Sequence, residues 1–169
     1  GTVGIGGVFV QKFTGAGSLV WSNSVAFRNA SNQLQNPYPA KVLVRDLGGG
    51  GHEIFVTGYR DRGDHPGGTW GGGTMDTDPF LLKFNSDGAL QWSKSLDSVD
   101  HEVVTDAIVR RDGGLLLCGH HKLSPDGTNV PGPGTLSSGW LLWTDAEGSF
   151  ENARRDVSAL GMTWSGVTE

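Results

Sequence analysis

"FLLKFNSDGALQWSKSL", Phe80 to Leu96, nearly restates "FVQKFTGAGSLVWSNSV", Phe9 to Val25. Setting Phe9 on Phe80 brings Lys12 onto Lys83, Phe13 onto Phe84, Gly17 onto Gly88, Leu19 onto Leu90, Trp21 onto Trp92 and Ser24 onto Ser95 at one constant offset. A looser version starts at Trp140, "WLLWTDAEGSFEN". There Leu141-Leu142 match Leu81-Leu82 and Gly148 matches Gly88, while Trp143 replaces the lysine and Asn152 the tryptophan. Internal repetition of this kind decides an architecture before local propensities do.

The intervening text repeats too. "AKVLVRDLGGGGHEIFVTGYR", Ala40 to Arg60, pairs with "TDAIVRRDGGLLLCGHH", Thr105 to His121, with Val44 opposite Val109 and Gly58 opposite Gly119. The first copy carries the longer glycine run.

Each unit reads as four short apolar strands, in the second unit Phe80–Asn85, Leu90–Leu96, Val103–Arg110 and Leu115–His121. Ser86-Asp87-Gly88, Ala146-Glu147-Gly148 and Arg111-Asp112-Gly113-Gly114 separate them, with glycine where a tight turn needs positive φ. No helical period persists, so the fold class is all-β. Four antiparallel strands per unit, repeated, is the pattern of β-propeller blades, which hide their two faces by stacking. Phe80, Leu82, Phe84, Leu90 and Trp92 are then expected between blades, with Phe9, Gln11, Phe13, Leu19 and Trp21 as counterparts. Gln11 interrupts that apolar face.

One region spans residues 1–169, in units of about 9–79, 80–139 and a partial 140–169. About two and a half blades make an incomplete ring, since propellers need four or more. The shortfall implies a fragment of a longer chain, a ring completed by other copies, or an open stack covered by a partner, because bare strand edges invite association.

The residues Asp78, Phe80 to Phe84, Asp87-Gly88, Leu90-Gln91-Trp92, Asp112-Gly113-Gly114 and Gly119 carry a resemblance. They resemble the bacterial SBBP (beta-propeller) repeats and the related PQQ-like propeller repeats. The resemblance covers nearly the whole chain. It implies a propeller, commonly extracellular, periplasmic or on the cell surface, and it implies no reaction.

Bulk composition excludes several classes. The 28 glycines in 169 residues follow no Gly-X-Y period, which excludes collagen and points to many turns. A net charge of −5 without a basic stripe argues against nucleic acid as a partner. No apolar run is long enough for a membrane-spanning helix. The single cysteine, Cys118, lies in an apolar run and reads as a buried, inert thiol.

Candidate chemistry gathers in two long loops rich in Gly, Pro and Asp, Tyr59 to Pro79 and Lys122 to Gly139, which join one unit to the next. Trp70 there reads equally as a stacking surface for a sugar ring or anchor for a protein contact, and as a lid on the hydrophobic core. Arg62-Gly63-Asp64 spells an integrin-type tripeptide, most simply a chance product of the loop's composition. Asp61, Asp64, Asp76 and Asp78 are the oxygen ligands that suit calcium, with Asp76 and Asp78 the best pair. Solvated loop carboxylates are the commoner role for such residues. His101, His120 and His121 lie near Cys118 and Glu102, but without zinc spacing. No catalytic motif or cofactor loop is present.

The expectation is a non-catalytic structural or protein-interaction module whose partners are other subunits or further blades. The alternative is a glycan-binding, lectin-like propeller using its inter-blade loops, and an enzyme domain is the third reading.

Overall fold

A computed structural model describes residues 7–29, 31–61, 77–96, 101–123 and 136–156. These form ten antiparallel strands and no helix. In chain order they are β1 (Gly7–Phe13), β2 (Leu19–Ala26), β3 (Pro37–Gly48), β4 (Gly51–Asp61), β5 (Thr77–Asn85), β6 (Leu90–Ser95), β7 (His101–Val109), β8 (Leu115–Leu123), β9 (Leu136–Thr144) and β10 (Phe150–Asp156).

Hydrogen bonding sorts them into a hairpin, β1-β2, and two four-stranded sheets, β3-β4-β5-β6 and β7-β8-β9-β10. Each sheet is a simple up-and-down meander. The described residues do not close into a ring.

This grouping corrects the frame in which the sequence reads. The four strands of the second sequence unit are β5, β6, β7 and β8, and they belong to two different sheets. The textual repeat starts in the middle of one sheet and ends in the middle of the next. The long loops change role accordingly. They join β4 to β5 and β8 to β9 inside a sheet, whereas the short stretch between Ser95 and His101 carries the chain from one sheet to the next.

Strand periodicity explains how the layers stack, because alternate side chains point to opposite faces. On β5, Phe80, Leu82 and Phe84 point one way and are fully buried against Val8 and Val10 of β1, with Phe27, Ile54 and Val56 in the same layer. Leu81 points the other way. With Phe55 it meets Val104, Ala107, Leu115, Leu117 and Trp140 of the β7–β10 sheet. The β3–β6 sheet is thus the middle layer, covered on both faces.

The strand pairs give positional equivalence. Phe80 faces Ser95 and Phe84 faces Leu90, just as Phe9 faces Ser24 and Phe13 faces Leu19. Lys83 faces Trp92 and Lys12 faces Trp21, and in the last sheet Trp143 faces Asn152. The expected burial does not follow the equivalence. Phe80 and Phe84 are 0% exposed, while Phe9 is 61% and Phe13 53% exposed. Nothing among the described residues lies against the outer face of β1, so the residues that are core in the middle sheet are surface in the first. Leu19 and Leu90 are also exposed, because β2 and β6 are edge strands of their sheets.

Candidate functional site

The sites expected from sequence divide into those the structure describes and those it does not. Trp70, Arg62, Asp64 and Asp76 lie outside the described residues. Asp78 is described, and it is not a solvated loop carboxylate. It sits near the start of β5, fully buried, with a carboxylate oxygen 4.0 Å from the Arg60 guanidinium. Arg60 also donates to the Gln35 side chain and to Ser95 Oγ at 2.7 Å, and it lies over the Phe27 ring. Asp78 therefore belongs to a structural ion pair that ties β4, β5 and β6 together at one end of the sheet.

His120 and Cys118 share the strand β8, and the His101 and His121 side chains lie outside the described residues. Among the described residues, no group of three or more His, Cys, Asp or Glu side chains is placed to hold a metal ion. Cys118 is buried, and burial pushes its thiol pKa up; a hydrogen bond with Thr105 acts the other way. Tyr59 stacks on Tyr38 with ring centroids 5.0 Å apart, and burial together with that neighbour raises the Tyr59 pKa.

The repeated residues meet one another across sheets. The indole of Trp21 on β2 lies against Gly88, in the turn between β5 and β6, and its Nε1 donates to Ser86 O at 3.1 Å. Asn23 adds a hydrogen bond to Gly88 O at 2.8 Å. Trp92 on β6 lies against Gly148, in the turn between β9 and β10, and packs on Phe55. Each tryptophan thus lies on the glycine turn of the following sheet. Arg45 on β3 repeats the arrangement on the inner side, with its guanidinium against Gly113 in the β7–β8 turn. Glu53 forms ion pairs with Arg45 and, at 2.6 Å, with Lys83, and Lys41 reaches Asp106 of the next sheet at 2.7 Å. Glycine is required in these turns twice over, for positive φ and for the room a neighbour occupies.

Among the described residues, uncovered apolar side chains lie on the outer faces of the first and last layers. At one end β1 shows Phe9, Gln11 and Phe13. At the other, alternation on β9 turns Leu141 and Trp143 away from the middle sheet, beside Leu116 of β8. These two faces, the first exposed and the second half-buried, are the strongest candidate site, and their chemistry is that of sheet-on-sheet association. Sequence reasoning expected Phe9 and Phe13 inside because it counted them as core; their conversion to surface depends on how many layers surround them.

No protein-family model matches the chain, and no curated protein matches its sequence. Among the described residues, no helix is long and apolar enough to cross a membrane.

Proposed function

We propose that the chain is a non-catalytic structural and protein-interaction module. It is a stack of β-propeller-type blades, of the SBBP/PQQ-like kind its repeats resemble, completed by further blades or subunits of a larger, extracytoplasmic assembly. One observation carries this reading. Phe9 and Phe13 occupy the register positions of Phe80 and Phe84, yet they are open to solvent where their equivalents are fully buried. A face built like a core layer and left bare is an interaction surface. The four-stranded meander sheets, packed face to face, are what blades require. The repeated tryptophans, glycines and arginine are engaged in holding sheet to sheet, which supports a packing role for the repeated text.

Light scattering on the native chain tests the reading. A mass that is a multiple of 17.9 kDa and falls on dilution supports it. A stably folded particle of 17.9 kDa at every concentration rejects assembly through the end faces.

A further inference from the structure

The middle sheet meets the first layer on one face and the last sheet on the other, and strand register makes these two interfaces equivalent. Phe80 faces Gly58 as Trp140 faces Gly119, and Leu82 faces Val56 as Leu142 faces Leu117. Val8 faces Val25 across the first hairpin, and Leu96 N donates to Pro79 O at the matching point of the middle sheet. Pro79, Leu96, Trp140 and Leu142 therefore hold the places of Val8, Val25, Phe80 and Leu82.

The first interface has one more residue in that cluster. Phe27, just beyond β2, packs with Val8, Val25, Phe80 and Leu82, and its ring stands 4.8 Å from that of Phe80. It is 7% exposed, and its carbonyl accepts from the backbone N–H of the buried Gln35. Phe27 and Gln35 both belong to the connection of residues 27–36 between β2 and β3. The connection from β6 to β7 covers only residues 96–100. Carrying the repeat past Leu96 sets Ser98 on Phe27, and Asp97-Ser98-Val99-Asp100 contains no ring.

The second interface has a cavity at the corresponding place. Its volume is about 120 Å³, and Pro79, Leu96, Trp140, Leu142 and Ala153 border it. Glu102 and Arg154 border it as well and carry opposite charges. Trp140 is 6% exposed, and its Nε1 has no hydrogen-bond partner among the described residues.

We propose that this cavity binds a single uncharged aromatic ring, that of a small phenol-type molecule, in the place that Phe27 takes in the first interface. Size and lining suit such a ring, since apolar cavities of about 150 Å³ take up benzene. The opposite charges of Glu102 and Arg154 call for no net charge on the ligand. A buried indole N–H without an acceptor marks a wall where an oxygen on the ring is favoured. A sugar fits poorly, because its hydroxyls would give up water against proline, leucine and alanine. The inference does not depend on whether other subunits complete the stack.

The test titrates the full chain, labelled with nitrogen-15, with p-cresol, one ring bearing one oxygen. The Trp140 indole and Leu142 amide resonances should shift and saturate with a Kd of about 1 mM or tighter. Ala153→Leu, at an exposed position of the edge strand β10, puts a branched side chain at the cavity. It should weaken binding at least about tenfold while resonances remote from the cavity keep their parent positions. p-Cresol should also raise the Tm of the parent more than that of this variant. No saturable shift up to about 20 mM overturns the inference, because the chain's own residues then close the cavity. Binding by a folded Ala153→Leu as tight as by the parent overturns it too, because the ligand then sits elsewhere.

Discussion

The indole of Trp21 lies so close to Gly88 that a β-carbon on the glycine would stand 2.6 Å from the ring. Gly88 also has φ +82°, so an alanine there meets backbone strain and the indole together. Gly17 has the same φ of +82° in the equivalent turn of β1-β2, and nothing lies within 4 Å of its added β-carbon. Gly17→Ala is expected to cost about 1 kcal/mol, the left-handed backbone penalty alone. Gly88→Ala is expected to cost about 2–4 kcal/mol, since overpacking is added to that penalty. Urea denaturation of the two variants checks this. Equal losses would mean that Trp21 does not rest on the turn in solution.

Phe80 and Phe9 hold equivalent places with opposite surroundings. Phe80→Ala removes a fully buried ring from the layer shared with Phe27 and is expected to cost about 3–5 kcal/mol. Phe9→Ala is expected to change the stability of the dissociated chain by less than about 0.5 kcal/mol. Thermal unfolding at low protein concentration separates the two.

Asp78 pairs with Arg60 at a fully buried position. Asp78→Ala leaves that guanidinium without its carboxylate and is expected to cost about 3 kcal/mol. The loss should be the same with and without added calcium, measured by denaturation in each. A loss that grows when calcium is added would assign the carboxylate to an ion instead, because calcium would then stabilise the parent and not the variant.

Cys118 has its thiol pKa raised by burial. A group protonated more firmly in the folded state stabilises it fully below the unfolded thiol pKa, about 8.5. That stabilisation is lost as pH rises from there through the folded value. Cys118→Ser should flatten stability against pH over this alkaline window. The native thiol should also react slowly with a disulfide reagent and fast once the chain is unfolded.

Much of the fold is written in local text. The alternation in Phe80 to Phe84 and the glycines at 88, 113 and 148 place strands and turns at the positions observed. What local text does not contain is the phase of the repeat. A periodic sequence reads the same from any starting point, and β5 gives no local sign that it pairs with β4 as well as β6. That choice is made by hydrogen bonds across a long connection, and loop length misdirects it, because here the longer loops lie within sheets. Burial is non-local for the same reason: Phe9 and Phe80 are the same residue in the same register, and only the layer next to each decides which is core. In the sequence Asp78 reads as loop because Asp and Pro stand in a glycine-rich stretch, and its partner Arg60 is brought near only by the pairing of β4 with β5.

Sedimentation velocity of the native chain beside a Phe9→Asp/Phe13→Asp double variant bears most directly on the open end face. The native chain should sediment as a concentration-dependent assembly. The double variant should sediment as a folded 17.9 kDa monomer, since a charge on each ring position blocks sheet stacking without touching a buried residue. Identical sedimentation of both as monomers, or an assembly unmoved by the two charges, would contradict the claim that β1 presents a face made to be covered.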